Sequence, residues 1–312
     1  MATAITTEGT QAYAPCIFTI TRDTADTLDV AIEVSNGTYN DSIYYKTIKG
    51  ESAQINVADY AKAYLNTTPA TATSAVLSKA GTAESAGRTA EVRVTASGTA
   101  KSVKMREGWD NSKQTLRTTL RKRLIAVGGS DEIEVAGNVV ATITVQRGNQ
   151  VLATLSQSAV TSVEANIYTV RVPSGLKVGD TFFVAVGSER IDYKVVASGK
   201  QLKWVNRYGA VDSWVWESEE EEKVAVKKTR IYTASGYETL NTEAEESVTL
   251  RSRVADRDTA RQLAGILYAR KVWMWDGEGY ERVDVENTDA TVIDADNLTQ
   301  VGVRIRKNKR LL

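Results

Sequence analysis

An alternation of period two, repeated along most of the chain, constrains this sequence more than any other feature. Within residues 27 to 57 it reads LDVAIEVSNGTYNDSIYYKTIKGESAQINV, with apolar residues at nearly every second position on either side of Asn36-Gly37. Neighbouring side chains of a strand point to opposite faces, so this pattern encodes half-buried strands. Asn-Gly is suited to the positive φ values of a tight hairpin turn. The alternation returns in EVRVTAS at 91 to 97. Between 131 and 217 it recurs as IEVAGNVVATITVQRG, QVLATLSQ, NIYTVRVPSG and DTFFVAVGSERIDYKVVAS, with turns at Gly148-Asn149, Ser174-Gly175 and Ser198-Gly199. Helical spacing is brief. Val57, Ala61, Tyr64 and Leu65 share a face over 57 to 65, and Ala260, Leu263, Ala264 and Leu267 share one in a later helix that Asp256 or Asp258 can cap.

The predicted fold class is therefore mainly β with an α+β C-terminal part: antiparallel β-sandwich domains followed by a sheet packed by one helix. A chain of 312 residues exceeds one ordinary core. We expect a β-rich N-terminal domain at 1–110, a connecting segment at 111–130, a β-sandwich at 131–217 and an α+β domain at 218–312. The small, polar stretch 66–90 reads as loops with a weak strand near Val76. In the connecting segment Leu116, Leu120 and Leu124 suit a helix face, whereas Leu124 to Val127 suit a strand. Strands are expected near 224–232 and 246–254, a hairpin about Asp276-Gly277 with Gly277 in its turn, and a closing strand at 301–308.

Composition removes several function classes. The chain has no histidine, the commonest general base and metal ligand, and one cysteine, Cys16, so no disulfide within the chain is available. Its 39 basic residues balance 39 acidic ones, so no global field draws it to nucleic acid or an anionic membrane. Neither a secretion signal nor a membrane span is read at MATAITTEGTQAYAP or elsewhere, so synthesis in a reducing cytoplasm is expected. No phosphate-binding glycine loop or G-x-S-x-G elbow occurs. Asp294-Ala295-Asp296-Asn297 lacks the glycine and distal glutamate of a calcium loop. No cofactor, metal or catalytic residue is therefore expected.

Three of the six tryptophans crowd into KWVNRYGAVDSWVWE at 203 to 217. If Tyr208, Gly209 and Ala210 formed a three-residue loop, Trp204 would face Trp214 and Leu202 would face Trp216. A two-residue loop would set Trp204 against Ser213. The first register is preferred because it gathers one aromatic face. Burial of such a face inside its own domain is the plainer reading, and contact between subunits the next. Trp273 and Trp275 alternate with Val272 and Met274, so one face of that strand is expected to meet the helix and the other, aromatic face to seek a partner. The glutamates Glu219, Glu220, Glu221 and Glu222 read as a solvated loop. The basic residues Arg117, Arg121 and Arg123 read as a charged rim facing an acidic neighbouring subunit, with the glutamates as candidates for the opposing side.

The order W-x-N-x-x-G-x-x-D-x-W-x-W at Trp204, Asn206, Gly209, Asp212, Trp214 and Trp216 resembles a signature of tail-tip and baseplate-type structural proteins of tailed bacteriophages, especially those of Bacteroidota hosts. The succession SVTLRSRV, DTARQLAGILYARK, VWMW, YERVDV and VGVRIRK over roughly 200 to 310 is similar to their close and to the tube-forming fold of phage tails. The resemblance implies a non-enzymatic virion protein, assembled in the host cytoplasm as a ring of its own copies with other tail proteins as partners. It implies no small-molecule substrate and no membrane, and nucleic acid only as cargo passing through a tail channel. Two rival readings stand beside it: a glycan- or receptor-binding β-sandwich module using exposed tryptophans, and a hydrolase using a carboxylate pair.

Overall fold

The computed structural model describes residues 3–35, 40–110, 114–162, 164–254, 256–286, 293–295 and 298–307. The chain is mostly β, built around three main apolar cores. In the N-terminal part run β1 (Thr3–Glu8), β2 (Ile17–Arg22), β3 (Thr27–Ser35), β4 (Asn40–Lys49), β5 (Ser52–Asn56), α1 (Ala58–Lys62), β6 (Leu77–Thr82), β7 (Thr89–Ala96) and β8 (Thr99–Arg106). Sheets ordered β1-β2-β5 and β4-β3-β7-β8 supply Phe18, Ile20 and Ile55 from one side of a core and Val30, Ile32, Val92 and Val94 from the other. The alternating burial of β3 follows its alternating sequence. Its partner β4 runs antiparallel in register from Thr27↔Lys49. The Asn36-Gly37 turn expected between them lies outside the described residues. The expected helix over 57–65 is shorter, at Ala58–Lys62.

The middle part holds β9 (Lys122–Ala126), β10 (Ser130–Ala136), β11 (Ala141–Arg147), β12 (Gln150–Gln157), β13 (Ala165–Arg171), β14 (Thr181–Val186) and β15 (Glu189–Val196). Five of them form the sheet β12-β11-β14-β15-β9, whose last pair is parallel. The facing sheet is β10-β13-β6, so the weak strand foreseen near Val76 crosses out of the N-terminal part and pairs with β13, Leu77 opposite Val170. Its Leu77 is buried in the middle core. The connecting segment is not a helix. Leu116 enters the middle core while Leu120 and Leu124 enter the C-terminal one, so the three leucines serve two cores and share no face.

The C-terminal part comprises β16 (Lys200–Val205), β17 (Val211–Trp216), β18 (Ser218–Thr233), β19 (Gly236–Val254), α2 (Arg257–Leu263), a 3-10 turn at Ala264–Tyr268, β20 (Val272–Trp275), β21 (Tyr280–Val285), β22 (Ile293–Ala295) and β23 (Leu298–Lys307). The sheet order is β17-β16-β20-β21-β23-β19-β18, with β22 beside β23. The tryptophan strands β16 and β17, expected to close the middle sandwich, instead open this sheet. Leu202 and Trp204 of β16 pair with Met274 and Val272 of β20, and Trp204, Trp214 and Trp216 bury in one core with Ala260, Leu263 and Ile266. Asp256, not Asp258, caps α2: its Oδ1 accepts from the Thr259 N–H at 2.7 Å. The 3-10 turn that follows α2 brings Ile266 into that core and leaves Ala264 out of it.

Candidate functional site

The tryptophan hairpin adopts neither register expected for it. Pairing ends at Val205↔Val211, so Leu202 faces Trp214 and Trp204 faces Asp212. The cause is Asn206. Its Oδ1 accepts from the Tyr208 N–H at 2.9 Å and the Ala210 N–H at 3.2 Å, which holds Asn206 to Ala210 in a five-residue loop. The offset from the preferred register is two residues, a full period, so the aromatic face survives the shift. That face is sealed within the chain: Trp204, Trp214 and Trp216 are buried, and Trp214 Nε1 donates to Ser252 Oγ at 2.8 Å. On β20 the aliphatic residues Val272 and Met274 lie in the core with the helix, while Trp273 is covered by Val205, Val211 and Tyr280. Trp275 is 39% exposed and meets Tyr280 edge-on. The tryptophan faces therefore provide no broad strip for a neighbouring subunit to cover: Trp204, Trp214 and Trp216 are sealed inside the chain, and of the Trp273 and Trp275 face expected to seek a partner only Trp275 is open to solvent.

The turn glycines differ in what they touch. Gly209 has φ +76°, and a Cβ there would fall 1.5 Å from the Glu107 carbonyl oxygen. Gly277, at φ +111°, has open space around it. The Gly209 loop is thus pressed onto the exit of the N-terminal part. There the Trp109 N–H donates to the Arg207 carbonyl at 3.0 Å, and Arg106 Nε donates to the Tyr208 carbonyl at 2.6 Å. Tyr208 itself is buried beneath the Arg207 guanidinium.

Beside this loop all three parts meet in a buried ionic junction. The cations Arg88, Arg106, Arg123, Lys203 and Lys271 are matched by the carboxylates of Glu107, Asp131, Glu132, Glu134 and Asp212. Strand β10 is the hub. Glu134 binds Arg88 at 2.8 Å and also Arg106, and Glu132 binds Arg88 and lies 3.6 Å from Lys203. Asp131 binds Arg123 at 2.5 Å and accepts from Ser213 Oγ and Tyr193 Oη. Asp212 binds Arg123 at 2.6 Å and accepts from the Thr118 and Thr119 hydroxyls. Lys271 reaches Glu107 at 2.9 Å. Burial pushes the carboxyls of Asp131 and Glu132 upward, but Arg123 beside the first and Arg88 beside the second outweigh it, leaving both below the usual carboxylate range. Burial likewise opposes charge on Arg123, and Asp131 and Asp212 more than restore it.

Arg123, expected on a subunit rim, is therefore internal. Arg117 and Arg121 also pair within the chain, Arg117 with Glu164 at 2.8 Å and Arg121 with Gln114 at 2.7 Å and Glu189 at 3.7 Å. The glutamate run is not a loop: Glu219 to Glu222 belong to β18, paired with Leu250, Thr249 and Val248 of β19. Glu222 is exposed and lies 3.6 Å from Lys307, and the side chains of Glu219, Glu220 and Glu221 lie outside the described set.

Beyond this pairing β18 and β19 continue as one ribbon to the Ala234-Ser235 turn. Strand β23 supports β19 only over Ser247 to Val254, so the ribbon projects as two strands from about Lys223 to Glu246. Val224, Val226, Ile231, Tyr232, Tyr237 and Leu240 are exposed on it. Among the described residues no group of Cys, Asp and Glu is placed to hold a metal ion, and no helix is long and apolar enough to cross a membrane.

These features define a mostly β chain of stacked sheets with an ionic junction and a projecting ribbon. No family model and no curated protein matches it. Among solved structures it is similar to domains 4–9 of the surface layer protein SbsC, at 14% identity and TM-score 0.20 over 99% of this chain and 43% of that one. It is also similar to a titin A168–A169 fragment, at 13% identity and TM-score 0.22 over 63% of this chain and 100% of that one. The ectodomain of the teleost fish polymeric Ig receptor matches at 9% identity and TM-score 0.19, over 62% of this chain and 98% of that one. This chain thus spans less than half of the S-layer fragment, and likenesses at such TM-scores carry no argument about function.

Proposed function

We propose that the protein is a non-enzymatic structural component that works by assembling with copies of itself, and that the projecting ribbon of β18 and β19 is the element through which it does so. The tail of a bacteriophage virion is the setting implied by the sequence resemblance, with the tail tip, baseplate or an adaptor ring as the place. The ribbon carries this reading. A two-stranded hairpin standing alone in water is at best marginally stable, yet this one extends on the order of 35 Å beyond its third strand, at about 3.4 Å per residue, with apolar side chains in solvent.

Charge indicates a second copy as its cover. Over the free part of the ribbon β18 carries Lys223, Lys227, Lys228 and Arg230 with no acid, and β19 carries Glu238, Glu243, Glu245 and Glu246 with no base. Among the described residues, neither outer edge has a partner strand there. The basic edge of one copy fits the acidic edge of the next in antiparallel pairing, a head-to-tail contact that continues the sheet and closes a ring if the rotation permits. Lysines alone would guard an edge against such pairing, but a complementary acidic edge on the same ribbon turns the guard into a selector.

The test is the solution mass of the full chain with electron microscopy of any oligomer. The wild type is expected to associate into closed rings, and Lys227→Glu with Lys228→Glu to give monomers of unchanged melting temperature. A wild type that stays monomeric, or a variant that assembles as well as the wild type, would falsify this reading.

A further inference from the structure

A cleft of about 680 Å³ opens where Trp109, the 206–210 loop and the 261–268 face of the C-terminal helix come together. Ligand sites commonly fall within this range of volume. A larger cavity of about 760 Å³ lies between the middle and C-terminal parts, but charged groups on its wall answer one another, Lys122 with Asp256 at 2.9 Å and Arg190 with Asp192 at 3.1 Å.

The smaller cleft is chemically one-sided. Its amide oxygens are already engaged: Asn206 Oδ1 by two loop N–H groups, Gln262 Oε1 by the Arg121 N–H at 3.1 Å, and Gln114 Oε1 by Arg121 at 2.7 Å. The Thr118 and Thr119 hydroxyls donate to Asp212. The Thr119 oxygen keeps acceptor capacity, but the buried groups of this wall whose hydrogen bonds are unmet are donors. Asn206 is 2% exposed, and its Nδ2 has no partner among the described residues. The buried indole Nε1 of Trp204, another residue of the wall, has none either. Buried donors left unmet are rare enough that each calls for an acceptor. Arg207 donates through Nη2 to the Tyr208 hydroxyl at 2.6 Å, and Arg207 and Arg261 make only exposed ion pairs of 3.7 Å with Asp110 and Asp258, so each guanidinium keeps further N–H donors for a ligand; no carboxylate lines the cleft among the described residues. Two aromatic rings complete it: Trp109 is 38% exposed and Tyr268 72% exposed.

We propose that this cleft binds an acidic saccharide, with a sugar ring against Trp109 and Tyr268, its carboxylate held by Arg207 and Arg261, and hydroxyl oxygens accepting from Asn206 Nδ2. Guanidinium forks match a carboxylate in geometry as well as charge. A single-stranded nucleic acid would want cations strung along its phosphates, whereas here they converge on one cleft in a chain of balanced charge. The site is independent of self-association, since the ribbon contributes no residue to its wall.

The experiment is titration calorimetry of the full chain with three probes. These are a hexasaccharide alternating glucuronic acid and N-acetylglucosamine, the same sugar with its carboxyls reduced, and a hexadeoxythymidylate. The acidic sugar is expected to bind, with the reduced sugar and the oligonucleotide each at least about tenfold weaker, as loss of a charged hydrogen bond implies. Arg261→Ala and Trp109→Ala, both at open positions, are expected to weaken binding about tenfold with melting unchanged. Asn206→Asp keeps the oxygen that holds the loop and removes the donor, so it is expected to weaken binding as well. Absence of binding by the acidic sugar, equal binding of both sugars, preference for the oligonucleotide, or full affinity retained in Arg261→Ala and Trp109→Ala would overturn the proposal.

Discussion

At the scale of single residues, the junction and the tight loop make opposite demands. Asp212 gives a buried guanidinium its second carboxylate, so Asp212→Ala leaves Arg123 under-compensated. Breaking a buried pair in this way costs about 3–5 kcal/mol, and a urea titration of the variant should show a loss of that order. Gly209→Ala is expected to cost more than Gly277→Ala. Both carry the strain of positive φ, about 1–3 kcal/mol, but only at 209 does the new carbon collide with a backbone oxygen. Paired thermal melts of the two variants check the ranking. The tryptophans were legible as a buried face because alternation survives a two-residue slip. The loop length was not, because it depends on where the Asn206 oxygen finds its N–H partners. Arg123 and Asp212 are visible in the sequence, but the carboxylates of β10 that they meet are not, for a physical reason. In SDEIEVA the glutamates fall where a half-buried strand would show solvent its polar side, and nothing local reveals that β10 is buried on both faces. A signal was present only in the density of acid in so short a strand. Trp109, alone in a loop, gave none.

At the scale of elements, the ribbon was foreseen as two shorter strands, since its alternation weakens where the glutamates crowd together. Pairing with β19 overrides the low strand propensity of that run. If the ribbon is bridged by its neighbours in an oligomer, its backbone N–H groups should exchange slowly there and quickly in the Lys227→Glu, Lys228→Glu monomer. Hydrogen exchange followed by mass spectrometry reads this directly, and equal fast exchange in both would remove the ribbon from the contact. The leucines of 116–124 show the opposite failure. A helical spacing was real in the letters, yet Leu116 is claimed by one core and Leu120 and Leu124 by another. Periodicity reports a shared face only when a single core does the claiming.

At the scale of the whole molecule, the mainly β class was readable from alternation, while the assignment of strands to parts was not. The junction ties the parts together electrostatically, so acid should loosen them. Asp131 and Glu132 are held below their ordinary values of 3.8 and 4.5. A lowered carboxyl contributes fully above its unfolded value and loses that contribution as pH falls through the folded one. Stability should therefore be flat in this respect above about pH 4.5 and fall steeply below it, which melting curves between pH 7 and pH 3 at constant salt will show. A curve flat to pH 3 would mean that these pairs contribute little.

The crossing of β6 has its own consequence. Since Leu77–Thr82 pairs with β13, a strand some ninety residues later, a ribosome must deliver Arg171 before that early segment finds its place. Scissors applied at residue 110 would not yield two tidy fragments: one would trail an orphaned sticky edge, the other would gape where that edge belongs, and the pair should recombine when mixed.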